Sequence, residues 1–231
     1  MVDKKLSFID HLEELRQRII VAFLAVSVGA ALCFFFAFPI LRILTRPAGK
    51  ISLVYLSPIE PFMVKFKIAI WAGLFLAMPV VLYETLAFVA PALKSKERKF
   101  VYPIIAGLIV LFALGVFFGY EAVMPVGIKW LFGQAGNELK ANLTASMYVS
   151  FAFMFLLGFG VAFETPLVIL FLVKLGVVSP QTLRRNWRVS YLAILVISAI
   201  ITPDWSPVTM AIMAVPMIAL YEISVLISRY I

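Results

Sequence analysis

Between Ile19 and Phe38 the chain carries no charged side chain. A helix of about 20 residues is roughly 30 Å long, the thickness of a bilayer's hydrocarbon core. Comparable apolar stretches follow at about 67–89, 100–124, 148–173 and 208–227, with a shorter one at 189–202. The hydrophobic share is 64% and the mean hydropathy is +1.06 over 231 residues. A water-soluble domain of this size cannot hide that much apolar surface, so the expected solvent is lipid. The expectation is an all-α polytopic membrane protein of six transmembrane helices, forming one membrane-embedded domain over residues 1–231.

The net charge of +8 fits basic cytoplasmic loops better than a nucleic-acid partner. Six spans put both termini on one side. Of the 20 Lys and Arg residues, four lie in 1–18, four in 91–99, four in 174–188 and one in the tail, against seven on the other side. Both termini are therefore expected in the cytoplasm. The single cysteine, Cys33, lies in an apolar run, so no internal disulfide is expected. Asp10, Glu13 and Glu14 make the N-terminus unlike a cleaved signal peptide, and the chain is expected to be mature as it stands.

In chain order, residues 7–18 read as an interfacial amphipathic helix that precedes the first span. Ser7 with Asp10 is a capping-box-like start. Phe8, Leu12, Leu15 and Ile19 form one apolar stripe, while His11, Glu14 and Arg18 share another face. Pro39 is expected to end the first span. A polar connection follows over 39–64, in which 51–56 packs as a short outer cap. Pro79 is expected to kink the second span. In the third, Gly115 and Gly119 form a small-xxx-small pair suited to close helix packing. Residues 125–147 read as a second outer loop. The fifth and sixth spans read as short. Only 14 residues separate Arg188 from Pro203, about 21 Å of helix. The turn after them must sit below the outer surface, or the bilayer must thin there.

No catalytic constellation is visible. The lone His11 precedes the first span, and no Gly-rich phosphate loop is present. Neither an enzyme nor a cofactor is expected. What remains is charge in costly places. Glu164 falls at mid-membrane and reads either as a polar packing residue or as a functional polar site. Asp204 is either a solvated turn acid or a partner contact. Glu84 and Glu222 read as locally paired or snorkelling. On the cytoplasmic side, Glu14 and Glu97 stand among bases. Carboxylates of this kind suit guanidinium groups, which bind them through parallel charge-assisted hydrogen bonds.

Four ordered segments then resemble one family. His11-Leu-Glu-Glu-Leu-Arg-Gln-Arg18 is similar to the HLxELRxR signature of TatC, the receptor subunit of the twin-arginine protein translocase. Phe88-Val-Ala-Pro-Ala-Leu with Glu97-Arg98-Lys99 resembles its first cytoplasmic loop. Phe163-Glu-Thr-Pro166 resembles its FExP element, and Thr202-Pro-Asp204 its TPxD turn. Lys94-Ser-Lys-Glu97 departs from the usual pattern, which has an aromatic after the leucine and a His before the acid. The resemblance implies binding of twin-arginine signal peptides of folded cargo at the cytoplasmic face. It assigns Glu14, Arg16, Phe88 and Glu97 to that binding and Pro47 to the first outer loop. Glu164 becomes the intramembrane acid, and Thr202 and Asp204 the region that docks single-span TatA and TatB partners. It also implies self-association and residence in a bacterial cytoplasmic membrane. The rival reading is a proton- or ion-coupled secondary transporter that uses Glu164. No pair of inverted repeats favours it.

Overall fold

A computed structural model describes residues 8–49, 53–90, 101–133, 143–202 and 207–230. Ser7, Glu97 and Asp204 lie outside them, as does the rest of the 91–99 loop. Among the described residues the chain is helical, with one isolated bridge between Val54 and Thr144 and no sheet.

The expected interfacial helix and first span are one uninterrupted helix, α1 (Phe8–Phe35). Its amphipathic stripe merges with the apolar run, and nothing in between breaks the backbone. Pro39 does not end this helix. The break falls at Phe36, and Pro39 sits in the first turn of α2 (Ala37–Thr45), where a missing N–H leaves no bond unmade. The second span is α3 (Glu60–Val89), with Pro79 inside it.

The third span is longer than expected. α4 (Val101–Phe118) passes through a π-helical turn, Gly119–Val123, into α5 (Met124–Gly133). That wider turn lies just ahead of Pro125, whose ring and absent donor an unbroken α-helix would not accommodate. The outer loop expected over 125–147 is therefore helical as far as Gly133.

α6 (Ala145–Lys174) starts on Thr144, whose Oγ1 accepts from Met147 N–H at 3.3 Å. It stops at Gly176, with φ of 71°. There Gly176 N–H donates to Val173 O at 2.9 Å and Val177 N–H to Leu172 O at 3.0 Å, the pairing of a Schellman cap. A short α7 (Pro180–Arg185) occupies the loop expected at 174–188. α8 (Trp187–Ile201) has 15 residues and α9 (Pro207–Ile227) has 21. At 1.5 Å per residue these are about 22 Å and 31 Å. α8 is thus short for a bilayer core, whereas α9 matches it. Among the described residues, five helical stretches are long and apolar enough to cross a membrane, and α8 is a shorter apolar helix beside them.

α6 is the centre of the packing. Tyr148, Val149, Ala152 and Phe159 on it are at most 1% exposed. The Tyr148 hydroxyl donates to Leu44 O at 2.7 Å, which fixes α2 against the start of α6. Trp71 and Phe153 stack with ring centroids 6.1 Å apart. Gly115 and Gly119 face α6 as the small-xxx-small pattern implied. A Cβ on Gly115 would lie 2.5 Å from Phe159 O, and one on Gly119 would lie 2.9 Å from the Phe159 side chain. The outer connection is tied in through Val54, which donates to Leu143 O and accepts from Ala145 N–H, both at 3.0 Å.

Large apolar side chains stay uncovered on the outside of the bundle. Phe23, Val28 and Phe35 on α1, and Val189, Leu192, Val196 and Ile200 on α8, are all at least half exposed. Such surfaces are stable only against hydrocarbon or another helix.

Candidate functional site

α1 and α3 pass backbone against backbone at Gly29 and Gly73. A Cβ on Gly73 would fall 2.3 Å from Ala30 N, and one on Gly29 would fall 2.8 Å from Gly73 O. With no side chain at the crossing, the two backbones can touch, and the same helices are held together again further along. That second contact contains five polar and aromatic residues, His11, Glu14, Arg18, Glu84 and Phe88.

Arg18 sits between the two helices there. Its Nη2 and Nε donate to Glu14 Oε1 at 2.6 and 3.0 Å, and its Nη1 donates to Glu84 Oε2 at 2.9 Å. The side chains are 24% exposed for Arg18, 23% for Glu14 and 15% for Glu84. At that burial a charge-assisted pair is stronger than on an open surface, where the median is roughly 0–1 kcal/mol. His11 Nδ1 lies 3.5 Å from the other oxygen of Glu14. One turn beyond Glu84, Phe88 stacks on the His11 ring, with centroids 4.3 Å apart and planes 9° from parallel.

The sequence placed His11, Glu14 and Arg18 on one helical face and paired Glu14 with Arg18; both hold. It missed that Glu84 completes the cluster. The available signal was an acid within a turn of Phe88, on the same side of the membrane as Glu14. Arg16 points away from this cluster and pairs with Glu13 at 3.1 Å on an exposed surface. Glu222 is paired locally, as expected for an acid near a span's end. It accepts from Arg184 Nη1 at 2.8 Å and from the Tyr191 hydroxyl at 2.6 Å.

The remaining candidates are elsewhere. Pro47 lies in a 3-10 turn, Arg46–Ala48, which packs against α5. Glu164 lies within α6 two residues before Pro166, and its Oε1 is buried with no hydrogen-bond partner among the described residues. Leaving a buried acceptor unpaired costs about 1–3 kcal/mol, which an apolar side chain would avoid. Thr202 caps α8. It is 3% exposed, and both its N–H and its hydroxyl donate to Ser198 O at 3.0 Å. It fixes the end of α8 rather than lining an open surface.

A cavity of about 610 Å³ lies at the other end of the bundle, lined by Lys67, Ser146, Phe151, Met154 and Ile200. Lys67 Nζ donates there to Ser146 Oγ at 2.7 Å. Among the described residues no group of three or more His, Cys, Asp or Glu side chains is arranged to hold a metal ion.

The family described as "Sec-independent protein translocase protein (TatC)" matches residues 10–216. The chain is 36% identical over 233 residues to a relative from Carboxydothermus hydrogenoformans named Sec-independent protein translocase protein TatC, covering 100% of this chain and 96% of the relative. A relative of the same name from Aquifex aeolicus is 38% identical over 226 residues, covering 95% and 93%. A crystal structure titled as the twin arginine translocase receptor TatC is similar to this fold with a TM-score of 0.85 and 38% identity. It covers 95% of this chain and 98% of its own. None of these matches supports the ion-coupled transporter reading.

Proposed function

Because the chain belongs to the TatC family of Sec-independent protein translocase proteins, we propose that the α1–α3 end of the bundle is the receptor for twin-arginine signal peptides of folded cargo. The observation that carries this reading is the Glu14 carboxylate. It is partly exposed and already accepts a guanidinium, that of Arg18 at 2.6 Å. A peptide offering two guanidinium groups needs two such acceptors, and Glu97 is the second in this reading. Phe88 begins the apolar surface along which the peptide's hydrophobic segment lies. Arg16, paired with Glu13 on the exposed side of α1, belongs to the same end of the bundle in this reading.

In this reading the whole chain is one membrane-embedded domain with six crossings, the fifth made by α8. Both termini face the cytoplasm, by the excess of Lys and Arg on that side. The membrane is a bacterial cytoplasmic membrane. The uncovered stripe of α8, Val189, Leu192, Val196 and Ile200, suits a single-span partner of the TatA or TatB kind. Thr202 and Asp204 set where that stripe ends. Glu164 is the polar site inside the bundle, and self-association brings several receptors together.

The test is a photo-crosslinker at position 97 with a synthetic twin-arginine signal peptide. The expected result is a crosslink that unlabelled peptide competes away. Absence of a competable crosslink removes Glu97 from the receptor.

A further inference from the structure

All three guanidinium nitrogens of Arg18 are engaged by carboxylates. Nε and Nη2 both donate to Glu14 Oε1, and Nη1 donates to Glu84 Oε2. His11 faces the other Glu14 oxygen at 3.5 Å. An oxygen of a carboxylate has about two lone-pair directions, so Oε1 of Glu14 has no capacity left. A second guanidinium approaching in the parallel, two-bond geometry needs both oxygens of the acid.

We propose that Arg18 is an internal competitor for the carboxylate that receives the ligand's arginine. It fills Glu14 in the free receptor and is displaced onto Glu84 when the peptide binds. This rests on the reading of Glu14 as a receptor residue.

Two features make the exchange feasible without leaving a buried charge unpaired. Glu84 stands on α3, not on α1, so it keeps its bond to Arg18 while Glu14 is released. A cleft of about 300 Å³ lined by Arg18, Tyr83, Ala87 and Tyr102 adjoins the guanidinium and gives it room to turn. Glu84 is thereby the parking acceptor, a role that explains a third carboxylate where a two-arginine ligand needs only two.

The competitor lowers apparent affinity by the fraction of receptors whose Glu14 is free. That factor is common to every ligand, so it leaves the ratio between two peptides unchanged. It does shift the weaker ones out of the range in which they occupy the site. Peptides presenting a lone ammonium, which cannot form the paired bonds, are the first to drop out.

The test is a binding titration of a synthetic twin-arginine peptide to the full chain in liposomes, with thermal stability measured alongside. Arg18→Lys keeps the charge but cannot hold Glu14 and Glu84 through three nitrogens, so binding tightens by about three- to tenfold. Glu84→Gln removes the parking acceptor and weakens binding by a similar factor, and this effect disappears in the Arg18→Gln background. A general field effect predicts no change for Arg18→Lys and an unaltered Glu84→Gln effect in both backgrounds. Unchanged or weaker binding by Arg18→Lys, or a Glu84→Gln effect that persists without Arg18, overturns the proposal. Glu14→Gln separates the two claims. Loss of binding there, with no gain from Arg18→Lys, ends the competitor and leaves the receptor reading standing. Native-like binding by Glu14→Gln ends both.

Discussion

The His11 imidazole lies flat on the Phe88 ring, with centroids 4.3 Å apart and planes 9° from parallel. This pair closes the α1–α3 contact just outside the Arg18 cluster. An aromatic pair is worth about 0.5–1.5 kcal/mol beyond its buried area. Phe88→Ala removes the stack and the start of the apolar surface proposed for the peptide. It is therefore expected to lower thermal stability by about 0.5–1.5 kcal/mol beyond the lost burial and to weaken twin-arginine peptide binding, while Phe88→Tyr, which keeps the stack, binds like the native chain. Thermal unfolding and peptide titration into liposomes read both variants.

Gly73 is the position where the same two helices touch. A methyl group there would sit 2.3 Å from a backbone nitrogen, which cannot move aside as a flexible side chain can. Gly73→Ala is expected to cost about 1–3 kcal/mol through overpacking. A Cβ added to Gly127, in α5, would meet nothing within 4 Å among the described residues. Gly127→Ala is expected to be neutral or to stabilise by up to about 1 kcal/mol. Thermal unfolding in detergent measures the contrast.

The spans were legible because each is a long apolar run, and length against hydrophobicity is read directly from sequence. Element ends were less so. Pro39 reads as a stop, but a proline is equally at home in a helix's first turn, and only the backbone break at Phe36 decides between the two. α5 was hidden because Pro125 and Gly127 read as helix breakers, although Lys129 is the one charged residue in Met124–Gly133 and the apolar run continues from α4 into it. In the site, Glu14 and Arg18 were legible as an i,i+4 pair. Glu84 was not, since its partner is 66 residues away and no periodicity within one helix reports a contact between two. Gly29 and Gly73 were missed for the same reason: a lone glycine in an apolar run does not say which helix crosses it.

Glu164 has a buried oxygen without a partner among the described residues. If its role is function and not packing, Glu164→Met should raise thermal stability by about 1–3 kcal/mol and still abolish export of a twin-arginine cargo. A fall in stability would return Glu164 to a structural role.

α8 is about 22 Å long and ends on the buried Thr202 cap. Inserting four apolar residues before Ser198 adds about 6 Å and brings it close to a full crossing. Export is expected to drop severalfold if the short helix thins the bilayer locally. Native export rates in the lengthened variant would show that thinning at α8 plays no part.

The central claim is that Glu14 receives an arginine of the signal peptide. The most direct measurement is saturable binding of a synthetic twin-arginine peptide to the purified chain in liposomes, compared with its twin-lysine counterpart. The expected result is binding that falls by at least about tenfold for the twin-lysine peptide and by a similar factor for the native peptide on Glu14→Gln. Equal binding of both peptides, or binding indifferent to Glu14→Gln, contradicts it.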